Sequence, residues 1–263
     1  MKKIKDVSFF GAGNVAWHLA TMMHEAGIKI NTVYSRHLDN ALTLAQNTGA
    51  VAIDRVDDMP RDADLYIFAL SDNAVGKVAK TFASKCKSGA CVVHTSGMLD
   101  TGIFSPWYDC YGCFYPLQTF KKMQPLYNRD FPVFITARDS DFGTSLFELA
   151  SVITEKVFFL DDKKRKALHV AAVFVNNFTN YLLAIAKNMV EGEEVEFGYL
   201  LPLLKETVDK ILNGADPELI QTGPAVRGDT GTIEAHLKFL QKYPQYLKIY
   251  KVLTESIRRS KNG

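Results

Sequence analysis

The sequence has no surplus of charge of either sign: Lys and Arg number 31 against 29 Asp and Glu, a formal net charge of +2 over 263 residues. It therefore offers no broad basic field for a nucleic-acid backbone, although a small basic pocket for one phosphorylated ligand remains compatible with it. The opening residues, Met1-Lys2-Lys3-Ile4-Lys5-Asp6, lack the long apolar core and small-residue cleavage site of a signal peptide. No apolar stretch approaches the roughly 18 residues that span a bilayer. These absences predict a soluble, cytoplasmic chain with no membrane partner. Cysteine is scarce: Cys86, Cys91, Cys110 and Cys113. Cys110 and Cys113 form a single C-x-x-C with no second ligand pair, so no metal site is expected. The cysteines are read as reduced thiols packed as small hydrophobes.

Strands and helices are present in short alternation. Val7-Ser8-Phe9-Phe10 reads as a buried strand ending at Gly11, and Val15 to Ala26 as a helix stopping at Gly27. Ile28 to Tyr34 follows as a strand, then a helix capped by Asp39 and closed at Gly49. Strands are expected at 51–53, 65–70 and 91–93, with a helix at 73–86. The pattern continues with strands at 114–119, 131–136 and 157–160 and a helix at 142–153. Such alternation predicts an α/β fold, a Rossmann-type doubly wound and mostly parallel sheet. After Asp162 only helical patterns remain, at 163–190, 197–212, 232–241 and 245–259. The expected domains are 1–160 and an all-helical 161–263. The apolar surface of 170–185 exceeds what about 100 residues cover alone, which predicts a homodimer through the helical domain.

Gly11-Ala12-Gly13-Asn14-Val15-Ala16 fits G-x-G-x-x-A between the first strand and the first helix. The first glycine allows the tight turn, the second lets a pyrophosphate approach the backbone, and the third small residue lets helix and strand pack closely. About 20 residues on, an acidic residue would grip the ribose 2′-hydroxyl of NAD. None is there. Ser35 and Arg36 stand instead, suited to a 2′-phosphate, with His37 beside them, so the expected cofactor is NADP. Leu70, Ser71 and Asn73 follow the fourth strand and should touch the cofactor. Thr95, after the fifth, should lie near its nicotinamide.

Five segments then occur in a telling order: Gly11 to Ala16, Ser35-Arg36, His94-Thr95-Ser96-Gly97, Tyr115-Pro116-Leu117-Gln118-Thr119-Phe120, and Thr222 to Asp229. Together they resemble a family of Rossmann-like NADP oxidoreductases with a C-terminal helical domain of unknown function. That family is distantly related to 6-phosphogluconate dehydrogenase, pyrroline-5-carboxylate reductase and the deazaflavin-dependent NADP oxidoreductases. The resemblance covers nearly the whole chain and implies the fold and the cofactor, but no settled substrate. The family favours His where Tyr115 stands, so a proton handled at that position would come from a phenol.

Hydride transfer to a carbonyl or imine needs a proton donor beside the accepting atom. Hydroxyacid dehydrogenase relatives carry a Lys and an Asn on the long helix. Here steps of three and four align Lys166, His169, Asn176, Asn177 and Asn180 on one face. Lys166 or His169 is the expected donor and Asn176 an orienting group. Val170 occupies the position four beyond Lys166, so the relatives' Lys-to-Asn spacing is not reproduced. His94 is a rival acid, and Ser96 a partner for the nicotinamide amide or the substrate. Arg227 would reach a substrate carboxylate or phosphate or fasten its loop, with Asp229 opening the next helix. The expected function is an NADP-dependent oxidoreductase acting on a small, anionic carbonyl or imine compound, with its cleft between the domains. The alternative is a non-catalytic NADP(H) sensor or scaffold. A methyltransferase has no use for Arg36.

Overall fold

The computed structural model describes residues 3–84, 89–127 and 129–262, so Cys86 lies outside the described residues. The chain divides into two compact units, Met1–Asn177 and Phe178–Gly263. The compact division thus falls beyond residue 160, where the strand pattern ends.

The first unit is built on eight strands: β1 (Asp6–Phe10), β2 (Lys29–Tyr34), β3 (Val51–Ile53), β4 (Leu65–Phe68), β5 (Cys91–His94), β6 (Cys110–Pro116), β7 (Val133–Ala137) and β8 (Val157–Phe159). Their order is β3-β2-β1-β4-β5-β6-β7-β8. Every pairing is parallel except β6 with β7. Helices α1 (Asn14–Glu25), α2 (Leu38–Thr48), α3 (Asp72–Ala83) and α4 (Ser140–Ser151) alternate with these strands along the chain. Because side chains alternate along a strand, one sequence run feeds two cores. Val7, Phe9, Leu65 and Ile67 pack with Leu19 and Met23 of α1. Phe10, Tyr66 and Phe68 pack with Val75 and Phe82 of α3. The strand order reverses between β1 and β4, which opens a crevice at the carboxyl ends of those strands.

Three local readings are corrected. Helix α2 starts at Leu38 with His37 in the capping position, and Asp39 lies in its first turn. There its charge still complements the helix N-terminus. Strand β6 begins at Cys110, earlier than expected, opposite Cys91 in the parallel register. With their Cα atoms 4.6 Å apart, Cys91 and Cys110 form a disulfide, against the expectation of reduced thiols. Cys113 stands three residues along the strand and so on the opposite face, which is why the C-x-x-C is no pair. Its buried thiol is pushed up to about 12 by desolvation.

Helix α5 (Asp162–Ala172) is capped by Asp161, whose side chain accepts from the N–H of Lys164. It passes through a π-helical segment, Val173–Phe178, into α6 (Thr179–Glu191). By length and composition alone, Asp162–Glu191 is long and apolar enough to cross a membrane. That departs from the expectation above: His169 and the asparagines interrupt the apolar run without outweighing it. The second unit contains α6, α7 (Leu201–Leu212), α8 (Pro224–Arg227), α9 (Thr230–Phe239) and α10 (Pro244–Asn262). Asp229 caps α9, accepting from the backbone N–H of Thr232 at 3.0 Å and from its hydroxyl at 2.8 Å. Arg227-Gly228-Asp229 is thus a helix-opening turn, with Gly228 in the left-handed region.

Candidate active site

A cavity of about 530 Å³ lies at the carboxyl ends of β1, β2 and β4. Gly11 shapes its floor: its φ is +117°, and a Cβ there would sit 2.1 Å from the carbonyl oxygen of Ala69. A Cβ on Gly13 would meet nothing within 4 Å, so this side of the loop is open to a ligand. Gly13 precedes α1 without a side-chain cap, which leaves the first-turn N–H groups available to an anion. Ala12, Ser35, Arg36, Leu70 and Ser71 also line the cavity, as their places in the sequence imply. Asn14, Val15, Ala16, Asn73 and Thr95 do not. Ala16 is fully buried in the core that joins α1 to the sheet, and Asn14 is engaged by the backbone of Lys122. Asn73 is exposed on α3, and Thr95 is buried with its N–H on the Phe68 carbonyl at 3.3 Å.

Among the described residues, three cations, Arg36, Lys77 and Lys122, line this cavity, and none of its lining residues is a carboxylate. Like charges gathered without a counter-ion destabilise one another until an anion joins them. The glycine loop and the cation set therefore fit a dinucleotide carrying an extra phosphate.

A second cavity, of about 350 Å³, is lined by Tyr115 at the end of β6 and by Leu117, Gln118 and Thr119 beyond it. Across from these stand His169 on α5 and Asn176 and Asn177 in the π-helical segment. The Tyr115 hydroxyl lies 2.8 Å from His169 Nδ1. The ring of His169 sits directly over Gly97, where a Cβ would lie 2.3 Å from Nδ1. Gly97 in the His-Thr-Ser-Gly turn is thus a seat for this histidine. Burial pushes the Tyr115 phenol up to about 12, so it is neutral and able to donate across the physiological range.

The other candidates are distributed differently. His94 is fully buried, and its Nδ1 accepts from the N–H of Ser96 at 3.2 Å. Desolvation, with Arg165 adding repulsion, holds it down to about 3, so the ring is neutral and without a proton to spare as an imidazolium. The Ser96 oxygen accepts from the N–H groups of Met98 and Leu99, both at 3.0 Å, and holds the turn together. Lys166 pairs with Asp100 at 3.1 Å and does not line the second cavity, although it shares a helical face with His169. Arg227 is exposed in the second unit.

Immediately before Lys166 stands Arg165, with no exposed surface. It donates to Thr136 at 2.8 Å and to the Leu99 carbonyl, and pairs with Asp162 at 2.6 Å. One turn away from His169, it pins α5 to β7 and to the loop after β5. Sequence reasoning left Tyr115 off the candidate set, although its place before Pro-Leu-Gln-Thr-Phe drew notice. Lys77 and Lys122 carried no local signal.

Residues 6–96 match the family described as NADP oxidoreductase, coenzyme F420-dependent. Residues 131–257 match a domain of unknown function, DUF2520. Comparison with curated proteins found no match. Among solved structures, the proposed NADP oxidoreductase BF3122 from Bacteroides fragilis is 34% identical, with a TM-score of 0.90 over 97% of this chain and 98% of that one. The protein TM1727 from Thermotoga maritima is 24% identical, with a TM-score of 0.69 over 97% and 98%. An imine reductase from Myxococcus stipitatus, in complex with NADP+, shares the fold at 14% identity and a TM-score of 0.69 over 97% and 93%. The glycine loop, the cation-lined cavity and a likeness spanning both units agree: the chain belongs to the family of NADP oxidoreductases that joins a Rossmann-like domain to the DUF2520 domain.

Proposed function

We propose that the chain is an NADP(H)-dependent reductase of a small carbonyl or imine compound, with Tyr115 and His169 handling the proton. The observation that carries this reading is the 2.8 Å contact between the Tyr115 hydroxyl and His169 Nδ1 at the wall of a cavity. The residues that would hold the cofactor are Gly11, Ala12, Gly13, Ser35, Arg36, Leu70 and Ser71. When bound, the nicotinamide supplies or accepts a hydride. In one tautomer the phenol donates to Nδ1, and in the other Nδ1–H donates to the phenol oxygen, so a proton can pass along the pair either way. Asn176 and Asn177 offer amide donors and acceptors to orient a polar substrate. Among the described residues the cavity lining holds no Lys or Arg, which favours a carbonyl or imine without requiring an anionic group on it. An imine reductase that binds NADP+ among the structures of this fold supports the same class.

The test is NADPH oxidation, followed by absorbance, with a panel of small cyclic imines and ketones. Turnover of at least one compound is expected, with loss of about a hundredfold or more in Tyr115→Phe while NADPH still binds. Turnover unaffected by Tyr115→Phe would refute the proton role. NADPH binding without turnover of any compound would favour the sensor reading.

A further inference from the structure

We propose that Lys122 is a second reader of the cofactor's 2′-phosphate, carried to the dinucleotide cavity by the segment that also walls the Tyr115–His169 cavity. The inference rests on the reading of the first cavity as an NADP(H) site. Lys122 comes from a loop 86 residues beyond Arg36, outside any recognisable phosphate motif. After β6 the chain runs along the wall of the second cavity through Leu117, Gln118 and Thr119. It is then fastened onto α1: Phe120 stacks on His18 with ring centroids 4.9 Å apart, and the Lys121 carbonyl accepts from His18 Nε2 at 3.0 Å. The next residue enters the first cavity.

Lys122 is held there from two sides. Its backbone N–H donates to Asn14 Oδ1 at 3.0 Å, at the start of α1, and its ammonium donates to Asn40 Oδ1 at 3.3 Å, on α2. The ammonium also lies 5.6 Å from the centre of the Trp17 ring. All these partners are neutral, and among the described residues Lys122 has no carboxylate. Asn40 lines the same cavity as Ser35, Arg36 and His37, which follow β2. The ammonium therefore shares with the Arg36 guanidinium the lining of the cavity that follows β2, where a dianionic phosphate would satisfy both cations.

Dissociation constants for NADPH and NADH, measured by calorimetry on the wild type and on Lys122→Met, Lys122→Arg and Lys121→Met, test this. Loss of the ammonium should weaken NADPH about tenfold or more and leave NADH within about twofold, because only NADPH carries the 2′-phosphate. Lys122→Arg should retain most of the preference, and Lys121→Met all of it. The NADPH-to-NADH ratio is a readout that a merely loosened loop would not move. Equal losses for both dinucleotides, or no loss for either, would overturn the assignment. Failure of the wild type to bind either dinucleotide would instead overturn the cofactor reading, and the assignment with it.

Discussion

Burial acts on His94 and Tyr115 by one mechanism, penalising whichever form is charged, and so leaves an imidazole and a phenol both neutral. For His94 the consequence is a dependence of stability on pH. Its folded-state value of about 3 lies below the ordinary 6.5, so between these values the unfolded chain binds the extra proton. Stability is then lost as pH falls below about 6.5, at up to ~1.4 kcal/mol per pH unit. Urea unfolding at pH 7 and pH 5 should show a smaller drop for His94→Asn than for the wild type, and equal drops would contradict this account. At this scale the sequence was informative where chemistry is local. Gly11, Gly13, Ser35 and Arg36 are readable because a strand–turn–helix puts neighbours in sequence into one site. Tyr115 and His169 are 54 residues apart, and only the sheet and α5 together make them partners.

Helix α5 owes its position to a buried cation rather than to an apolar stripe. Arg165 is enclosed, and its contacts with Asp162, Thr136 and Leu99 join three segments. Removing one member of a buried pair leaves the other uncompensated, typically at 3–5 kcal/mol. Asp162 keeps Thr101 as a second partner, at 2.9 Å from its hydroxyl. Arg165→Met should therefore lose about 3 kcal/mol in chemical denaturation, toward the lower end of that range. A loss below about 1 kcal/mol would show that apolar packing, not the pair, holds the helix. The elements themselves were largely legible, since buried parallel strands read as continuous apolar runs. The π-helical segment was not, because Val173–Phe178 keeps an ordinary helical composition and its wider turn is a matter of backbone pairing. Such segments recur at functional sites, and this one places Asn176 and Asn177 at the second cavity.

Across the whole molecule, composition set the class of fold but missed one feature of assembly. The disulfide depends on Cys91 and Cys110 opening adjacent strands in register, which spacing along the chain does not reveal. The apolar character of the helical unit was visible, and the structure leaves much of it uncovered: Tyr199, Leu203, Leu212 and Val252 are each more than half exposed. We propose that a second copy of the chain covers this surface. The asparagines along Asp162–Glu191 would be costly in lipid, which weighs against a membrane as the cover. Light scattering should give the mass of two chains, and the mass of one would refute the pairing. The central claim is that the cation-lined cavity reads a 2′-phosphate. Calorimetric titration with NADPH and NADH, on the wild type and on Arg36→Ala, tests it most directly. The account predicts tighter binding of NADPH and its selective weakening by about tenfold or more in Arg36→Ala. Equal affinity for the two dinucleotides, or a preference untouched by the loss of Arg36, would contradict it.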